Sequence, residues 1–594
     1  MNRTPAAPNR NTLWARALVD GLARRGVSHA CLGSGSRSAP LVEALASDDR
    51  FTLHPHVDER SAAFFALGVG AASGRPAAVV TTSGTAAANL FPAVVEASQS
   101  EIPFLALTAD RPAALRGTDA NQTIDQRDLF GRYPRRSIDL ELPEPTAAGF
   151  ASLGAAVEAA WRAALGPPAG PAHLNVQFAK PLEPVRVPGD VPAGLEPRLP
   201  DSATPGDAPG APPPDAGGAL AALLRGARRP LIVCGPNQRP GIGRAALALA
   251  ARVRAPLVAD PLSGARFGSG AERWTMSSAD LALRADEVAA ALRPDLIVRV
   301  GRAPTSAAVC RYLERHAAAP QFVLDATHRW RDHLATSARP LTGDPVATLD
   351  RAAAADPEEA AEAEEAWGER WRAVDRAARA AVEPSLAEMW FEGAIADAMA
   401  ESLPEGTPWF IGNSMPIRDV DAFTRATDRP LRTLGLRGAS GIDGNVSAAL
   451  GAAAASGRPA AALIGDLTLL HDVGALLADR SPGIPLHLVV IQNRGGGIFH
   501  MLPIREHDPP FTPYVVMPQS IDLGAVAAAA GIPHRLVSSA AELREALKQA
   551  LKPPGAESEG RGLRLTEACV EREHNWKQRA AAIESAKEAA RREI

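Results

Sequence analysis

The chain has 594 residues, too many for one hydrophobic core, so we expect three domains of roughly 130–200 residues each. Hydrophobic residues make up 46% and charged residues 22% of the chain, which is typical of a soluble globular protein. The formal net charge of -4 gives no basic excess, so the composition predicts neither a nucleic-acid partner nor a membrane partner.

The four cysteines are widely spread and form no C-x-x-C pair. We therefore expect each to pack in a core and not to form a disulfide or a metal site. The N-terminal sequence MNRTPAAPNRNTLW has no apolar run of signal-peptide length, and no stretch of the sequence approaches 18 uninterrupted apolar residues. These features predict a cytoplasmic protein.

The first segment, residues 1–185, alternates amphipathic helices with short apolar runs, the pattern of α/β domains with parallel sheets. A helix over 11–25 is predicted to end at Gly26. The strands predicted after it lie at 28–32, 77–82, 104–108 and 173–176. Residues 186–218 are dense in Pro and Gly, a composition that excludes a helix or a central strand and predicts an inter-domain linker.

The second segment, residues 219–350, begins with a predicted helix near Ala219. Its predicted strands lie at 230–234, 295–300 and 321–325. Residues 351–384 include an acidic, alanine-rich stretch, which predicts a helical connector.

The third segment, residues 385–594, ends in a charged helix at about 571–592, expected to be a solvated surface helix. Its predicted strands lie around 409–411, 461–464 and 486–492. The pattern as a whole predicts an α/β protein with three doubly wound parallel-sheet domains. The first and third segments share one α/β rhythm without a close internal repeat.

Two polar turns of the third segment each follow an apolar, strand-like run. Gly465-Asp466-Leu467 follows AAALI, and Gln492-Asn493 follows LHLVVI, 25 positions after Leu467. Both turns lie where a parallel strand ends, the edge at which open α/β sheets bind ligands. Magnesium prefers carboxylate, carbonyl and phosphate oxygens, and Asp466 and Asn493 can supply the first two.

Three consecutive glycines, Gly495, Gly496 and Gly497, let the backbone approach a diphosphate closely. For either motif alone, an ordinary strand-to-turn Gly-Asp or Asn-Arg-Gly turn is a competing interpretation. The spacing and the matching strand contexts together favour a binding site.

The paired motif resembles the G-D-G…N-N diphosphate-binding motif of thiamine-diphosphate enzymes. Here Leu467 replaces the last Gly and Gln492 the first Asn, and neither change removes a proposed metal ligand. The resemblance implies bound thiamine diphosphate and Mg²⁺, with Mn²⁺ as a possible substitute. The metal ligands that it implies are Asp466, Asn493 and Gly495. The cofactor contacts that it implies are Glu59, Ser83, Ile442, Asp466, Leu467, Asn493, Gly495, Gly496, Ile498 and Phe499.

The run His56-Val57-Asp58-Glu59-Arg60 precedes the helix-like SAAFFALGVGAA. In thiamine-diphosphate enzymes a first-domain glutamate hydrogen-bonds N1′ of the aminopyrimidine and promotes cofactor activation, and the resemblance implies that role for Glu59. The cofactor carries the carbanion chemistry, while the protein supplies orientation and electrostatics. Taken alone, an acidic pair favoured at a helix N-terminus by the macrodipole also explains the run.

Several further segments carry polar residues in predicted loops. They are GSRSAPL at 35–41, TSGTAAANL at 82–90, TADRP at 108–112, ANQ at 120–122, GNS at 412–414, Arg418, RGASGIDG at 437–444 and GGIF at 496–499. Their order and spacing, with the HVDER run, resemble the 2-succinyl-5-enolpyruvyl-6-hydroxy-3-cyclohexene-1-carboxylate synthases of menaquinone biosynthesis. The resemblance covers nearly all of the first and third segments and is weak in the second.

This resemblance implies decarboxylation of 2-oxoglutarate and 1,4-addition of the succinyl carbanion to isochorismate. It also implies a homodimer or homotetramer whose active sites are shared between chains. Both substrates are dicarboxylates, and the guanidinium fork binds carboxylates bidentately better than lysine does.

Four arginines fall in predicted loops at strand ends or helix starts: Arg37, Arg111, Arg418 and Arg437. A single loop arginine is ordinarily a solvated surface residue, but four of them in motif-dense loops favour substrate binding. The resemblance implies that Ser414 and Arg418 hold the succinyl carboxylate. It places Arg37, Arg111 and Gln122 at isochorismate and leaves the substrate of Arg437 open.

Two apolar residues are also implied in the site: Ile442 as the wedge that keeps thiamine bent, and Phe499 as a pocket wall. Core packing explains both equally well. The family commonly has a lysine in the middle domain, shortly after a strand ending in Gly, but residues 300–307 contain none. Either Arg302 substitutes for it, or one isochorismate contact is missing.

Two other functions compete with this interpretation. An acetolactate-synthase-like carboligase acting on pyruvate would need only one carboxylate clamp, so the set of arginines argues against it. A nucleotide-binding or regulatory protein built from Rossmann-like domains is disfavoured because residues 33–38 lack the final glycine of G-x-G-x-x-G.

Overall fold

The computed structural model describes residues 7–199, 216–327, 332–336, 338–355, 364–477, 483–551 and 562–594. It contains three parallel sheets with helices on both faces, which confirms the predicted fold class. The chain divides into two compact units. The first unit comprises Met1–Pro209, Leu436–Gly457 and His471–Ile484, and the second comprises Gly210–Gly435, Arg458–Leu470 and Pro485–Ile594.

The first unit contains a six-stranded sheet. Its strands are β1 (His29–Gly33), β2 (Thr52–His56), β3 (Ala77–Thr81), β4 (Phe104–Asp110), β5 (Arg136–Leu140) and β6 (Pro171–Gln177), in the order β2-β1-β3-β4-β6-β5. Its helices from the first segment are α1 (Arg10–Arg24), α2 (Ala39–Ala46), α3 (Glu59–Ser73), α4 (Thr85–Ala88), α5 (Phe91–Ser100) and α6 (Ala147–Leu165). Strands β3, β4 and β6 are buried along their whole length, as expected of a parallel sheet covered on both faces.

The second unit contains the other two sheets. The five-stranded sheet consists of β7 (Pro230–Cys234), β8 (Leu257–Ala259), β9 (Leu296–Val300), β10 (Gln321–Asp325) and β11 (Arg339–Thr342), in the order β11-β10-β9-β7-β8. The helices of this stretch are α7 (Ala216–Arg225), α8 (Ile242–Val253), α9 (Ala271–Trp274), α10 (Ala279–Ala282), α11 (Asp286–Ala291), α12 (Ala307–Arg315), α13 (Pro345–Ala353) and α14 (Glu365–Glu388).

The third sheet has six strands. They are β12 (Pro408–Ile411), β13 (Arg432–Leu434), β14 (Ala460–Gly465), β15 (Leu486–Gln492), β16 (His534–Val537) and β17 (Arg564–Cys569), in the order β13-β12-β14-β15-β17-β16. The helices of this part of the chain are α15 (Glu392–Ser402), α16 (Met415–Phe423), α17 (Asn445–Ser456), α18 (Asp466–His471), α19 (Gly474–Leu477), α20 (Leu523–Ala529), α21 (Ala540–Ala550) and α22 (Arg572–Arg591). The first and third sheets share one strand order, which is the structural basis of their common sequence rhythm.

The hydrophobic pattern does not predict the edge strands of the three sheets, which are β2, β5, β8, β11, β13 and β16. They are short, and most are only partly buried, so their apolar pattern is weak. An edge strand pairs on one side only, which permits the polar and proline residues found in β2 and β11. The interior strand β17 is not predicted either, because the polar residues in its sequence RLTEAC leave no continuous apolar run.

The predicted bounds of the linker 186–218 and of the connector 351–384 do not coincide with the ends of the helices in the structure. Helix α7 begins at Ala216, inside the predicted linker 186–218, of which residues 200–215 lie outside the described residues. Helices α13 and α14 cross the predicted bounds of the connector 351–384. Helix α14 also buries Trp367 and Trp371 in the core of the second unit, so it is more than a connector. The division into domains at the predicted bounds stays a prediction.

The last helix is only in part the solvated surface helix that the sequence predicts. One face of α22 is buried, and the side chains on it are Asn575, Arg579, Ala582, Ala586 and Ala590. Three of these five are alanines, which give little hydropathy signal but allow close helix packing. Among the helices in the described ranges, none has both the length and the hydropathy needed to cross a membrane.

Candidate active site

Glu59 is the first residue of α3, just beyond the carboxyl end of β2. The neighbouring Asp58 caps this helix, because its carboxylate accepts the backbone N–H groups of Arg60 at 2.8 Å and Ser61 at 3.4 Å. The acidic pair does lie at a helix N-terminus, as the competing macrodipole interpretation requires, and Asp58 is the N-cap residue. Gly33 ends β1 so close to Glu59 that a Cβ there would lie 3.1 Å from the Glu59 Cγ.

Three predicted substrate and cofactor residues lie together at the same sheet edge. The Arg111 guanidinium donates to the hydroxyl of Ser83 and, at 2.5 Å, to the carbonyl oxygen of Gln122. The Gln122 amide donates in turn to the Ser83 carbonyl oxygen at 3.0 Å. The loops after β3 and β4 thus hold one another in place.

Arg37 belongs to this cluster as well. Its Nη1 donates to the carbonyl oxygen of Phe178 at 2.7 Å, and its buried Nε has no hydrogen-bond partner among the described residues. Burial and the nearby Arg111 charge lower the pKa of Arg37, while Asp110 opposes that shift. Two neighbouring guanidinium groups favour an anionic ligand, since its charge would offset their mutual repulsion.

Behind this cluster lies a buried polar network that the sequence motifs do not predict. Gln126 accepts the Gly84 N–H at 2.9 Å and donates to Asn175 at 2.8 Å. Asp110 accepts from Asn175 at 2.9 Å and from Arg116 at 2.8 Å. The only sequence signal was the position of Asp110 in the TADRP run, because the other partners come from distant segments.

Part of the third segment belongs to the first unit, including Arg437 and Ile442, both half-buried. The buried carboxylate of Glu96 on α5 accepts the N–H groups of Gly438 at 2.7 Å and Ala439 at 2.6 Å. These bonds fix the loop that carries both predicted residues. Glu96 has no signal of its own in the sequence.

Asp472 joins the helix that Glu59 begins, α3, to the helix that follows Ile442, α17. It is fully buried and accepts the Ser447 N–H at 2.7 Å, the Ser447 hydroxyl at 3.0 Å and the Ser61 hydroxyl at 3.3 Å. Burial raises the pKa of Asp472 to about 6, against these hydrogen bonds.

The proposed metal residues lie in the second unit, where β14 and β15 end. Asp466 is 2% exposed and accepts the N–H groups of Leu467 at 2.6 Å and Gly495 at 3.0 Å. The Asn493 amide donates to Glu392 at 2.7 Å, and its buried Oδ1 has no partner within the described ranges. Gly495 has φ 143°, and a Cβ there would lie 2.8 Å from the Val516 carbonyl oxygen, so no side chain fits without strain.

These residues fit a divalent cation. A buried amide oxygen without a partner costs about 1–3 kcal/mol, which an oxygen-preferring cation would recover. Burial, with a smaller contribution from the Glu392 carboxyl group, raises the pKa of Asp466 to about 6, and a bound cation would lower it. In the described part of the chain, no cluster of three or more His, Cys, Asp or Glu offers another metal site.

The remaining predicted cofactor residues directly follow Asp466 or the Gly495 turn in the chain. Ile498 and Phe499 are half-buried in the short 3₁₀ helix Gly497–Met501, and the Phe499 ring lies against Gly496. Leu467 is half-buried in the first turn of α18.

The predicted clamp for the succinyl carboxylate begins at α16. Ser414 precedes this helix with φ 72°, and the half-buried Arg418 donates to the Ser414 carbonyl oxygen at 2.6 Å. Burial lowers the pKa of Arg418, while Asp280 and Asp421 oppose the shift. Ser414 and Arg418 thus lie one helical turn apart and in contact. Arg302, half-buried after Gly301 at the end of β9, leaves both alternatives for the missing lysine open.

Two of the four cysteines, Cys31 and Cys234, are buried, as predicted for core packing. The other two, Cys310 and Cys569, are only half-buried.

Comparison with family models identifies the class of the chain. Residues 14–129 match the N-terminal TPP-binding domain of thiamine pyrophosphate enzymes, and residues 420–559 match their C-terminal TPP-binding domain. The two matches include Glu59 and Asp466. The chain is thus of the thiamine pyrophosphate (thiamine diphosphate) class of enzymes.

Similar proteins with curated names identify the family within this class. A 2-succinyl-5-enolpyruvyl-6-hydroxy-3-cyclohexene-1-carboxylate synthase of Halobacterium salinarum is 44% identical over 563 residues, covering 92% of this chain and 95% of the relative. Proteins of the same name from Geobacillus kaustophilus and Roseiflexus castenholzii are 41% and 40% identical, covering 92% of this chain and 93% and 94% of the relatives. The chain belongs to the family of 2-succinyl-5-enolpyruvyl-6-hydroxy-3-cyclohexene-1-carboxylate synthases.

Proposed function

We propose that this chain decarboxylates 2-oxoglutarate and adds the succinyl unit to isochorismate in a 1,4 sense. The products are 2-succinyl-5-enolpyruvyl-6-hydroxy-3-cyclohexene-1-carboxylate and CO₂, in menaquinone biosynthesis. The observation that carries the proposal is family membership over 92% of the chain. The paired carboxylate and amide oxygens of Asp466 and Asn493 and the clustered arginines support it.

Thiamine diphosphate, when bound, supplies the carbon nucleophile and the electron sink for decarboxylation. Asp466, Asn493 and the Gly495 carbonyl would hold Mg²⁺ or Mn²⁺, which would offset the charge of the diphosphate. Glu59 holds a proton at N1′ of the aminopyrimidine.

The polar side chains divide between the two substrates. Arg418 and Ser414 bind the succinyl carboxylate and orient 2-oxoglutarate. Arg37, Arg111 and Gln122 bind the carboxylates of isochorismate, for which the fork of each guanidinium is suited. We assign the chain to a homodimer or homotetramer with active sites shared between chains.

Product identification tests the proposal. The purified chain, with thiamine diphosphate, Mg²⁺, 2-oxoglutarate and isochorismate, is expected to release CO₂ and one adduct of the expected mass in equal amounts. Asp466→Ala should lose activity at limiting metal, whereas Asp49→Ala, at an exposed position, should not. Formation of acetolactate from pyruvate, with no adduct from isochorismate, would identify the competing carboligase and refute the proposal.

The division of the arginines has its own test. Arg418→Ala should impair single-turnover release of CO₂ without isochorismate, because it removes the clamp on the first substrate. Arg111→Ala should spare that half-reaction and impair formation of the adduct. Arg311→Ala, at an exposed position on α12, is the matched control. Equal loss of CO₂ release in the first two variants would contradict this division.

A further inference from the structure

Glu392 is a buried acid that the proposed mechanism does not use. It is the first residue of α15 and is 1% exposed. One carboxylate oxygen accepts the side-chain N–H of Asn493 at 2.7 Å, and the other has no hydrogen-bond partner among the residues that the structure describes. Burying a carboxyl oxygen that has no hydrogen bond costs free energy. We therefore expect Glu392 to have a role toward a neighbouring group.

The contact determines which way the Asn493 amide faces. The NH₂ end of the amide points to Glu392, whose carboxyl oxygen accepts its hydrogen bond. The opposite orientation would bring two acceptors face to face. The Oδ1 atom is therefore left on the other side, buried and available as an oxygen ligand.

The last helix of the chain supports this arrangement at two places. Asn575 on α22 accepts the backbone N–H of Glu392 at 2.8 Å. Arg572 at the start of the same helix donates to the carbonyl oxygens of Arg494 at 2.9 Å and Asn493 at 3.4 Å. Helix α22 thus holds both Glu392 and the loop that contains Asn493 and Arg494.

We propose that Glu392 is a positioning residue of the metal site, which orients the Asn493 amide so that its oxygen faces the cation. The inference rests on the proposed function, because it requires the metal at Asp466 and Asn493. Outer partners that orient metal ligands commonly change metal affinity about 10- to 100-fold when removed.

Two substitutions separate orientation from charge. Glu392→Gln removes the charge but keeps an acceptor at the same reach, so we expect Mn²⁺ affinity within about threefold of wild type. Glu392→Asp keeps the charge but withdraws the acceptor by one methylene, so we expect affinity to fall at least about tenfold. Glu388→Asp, exposed at the end of α14, is the matched control and should leave affinity unchanged.

The measurement is the electron paramagnetic resonance signal of free Mn²⁺, titrated into metal-free full-length protein with thiamine diphosphate present. Activity provides a second readout: Glu392→Asp should raise the Mn²⁺ concentration for half-maximal activity, with kcat largely recovered at saturating Mn²⁺. Circular dichroism confirms that both conservative variants are folded.

The outcomes are distinguishable. If wild-type protein and Asp466→Ala bind Mn²⁺ equally, the proposed metal site is wrong. If Asp466→Ala loses binding but Glu392→Asp binds like wild type, the metal site stands and the inference is overturned. Weak Mn²⁺ binding by Glu392→Gln with normal binding by Glu392→Asp would show that the charge at position 392, and not the orientation of the Asn493 amide, determines metal affinity. That result would also overturn the inference.

Discussion

At the scale of single residues, neighbouring acids in this chain have different environments and therefore different roles. The carboxylate of Asp58 accepts two backbone N–H groups at the N-terminus of α3. Glu59, one residue later, lies at the end of β1 and β2 beside Gly33. The carboxyl edge of a parallel sheet is where ligands bind, which supports the proposal that Glu59 contacts the cofactor.

We expect Glu59→Gln to reduce turnover by at least about 100-fold, because positioned proton transfer typically contributes that much. Folding and binding of the diphosphate should persist, since the proposed anchoring residues are in the second unit. The measurement is steady-state activity at saturating cofactor together with cofactor titration. Glu141→Gln, at an exposed position, is the control. Activity of Glu59→Gln within about threefold of wild type would refute the assignment.

Asp472 makes stability depend on pH. Burial raises its pKa from 3.8 to about 6, above its unfolded value, so the folded state binds this proton more tightly than the unfolded state. The stabilisation is fully present below about pH 4 and is lost as the pH rises through about 6. The shift corresponds to about 3 kcal/mol at 1.36 kcal/mol per pKa unit.

We therefore expect the unfolding free energy of wild type, relative to Asp472→Asn, to fall by about 3 kcal/mol between pH 4 and pH 7. Urea unfolding at several pH values measures this difference, in which the other titrating groups cancel. The exposed Asp49→Asn variant should give a flat difference. A flat difference for Asp472→Asn would show that its carboxyl group has an ordinary pKa in the folded protein.

At the scale of secondary-structure elements, the last helix departs most from expectation. Arg579 on its buried face is ion-paired with Asp419 of α16, and its guanidinium lies 5.0 Å from the centroid of the Phe423 ring. Burial lowers the pKa of Arg579 to about 10. Together with the contacts of Arg572 and Asn575, this pair makes α22 part of the scaffold behind the loop that carries Asn493 and Gly495.

Arg579→Met should lower the free energy of unfolding by about 3–5 kcal/mol, because it leaves the buried Asp419 without its cation. The double variant Arg579→Met/Asp419→Leu should lose less than the single variant, since both charges are then gone. Thermal or urea unfolding provides the measurement. Lys577→Met, on the exposed face of the same helix, should stay within about 0.5 kcal/mol of wild type. Equal effects of Arg579→Met and Lys577→Met would restore the interpretation as a surface helix.

At the scale of the whole molecule, the proposed functional residues fall into two units. Glu59, Arg111 and Arg437 belong to the first, and Asp466 and Arg418 to the second. Glu59 and Arg111 follow strands of the first sheet, and Arg418 and Asp466 follow strands of the third sheet, whereas Arg437 follows β13 of the third sheet but belongs to the first unit. The family resemblance implies active sites shared between two chains related by a two-fold axis, and the division of these residues motivates a test of that proposal.

Mixed dimers test this assembly. When Glu59→Gln chains and Asp466→Ala chains are dissociated and re-formed at random, about half of the dimers should be mixed. A mixed dimer with shared sites has one doubly altered site and one intact site. The mixture should therefore recover up to about one quarter of wild-type activity if the two sites work independently.

The control is the same exchange within each single variant, which should recover nothing. Subunit exchange can be verified with chains of different isotopic mass. If exchange is complete and the mixture stays inactive, each site is built within one chain.

The sequence by itself determined those features that depend on a few consecutive residues. Apolar runs that end in a polar turn located the buried strands β7, β10 and β15 and, at the ends of β14 and β15, Asp466 and Asn493. The local spacing of strand and turn is sufficient there, because parallel strands align their carboxyl ends.

Only the tertiary structure identified residues whose roles depend on contacts between distant parts of the chain. Glu392 and Asn493 are 101 positions apart, and Gln126 reaches Asn175 across 49. Short edge strands and the alanine-lined face of α22 escaped prediction for a related reason, since their burial depends on neighbours contributed by other segments. Hydrophobic pattern is a property of local sequence, whereas the partner of a buried polar group is set by how the chain packs in three dimensions.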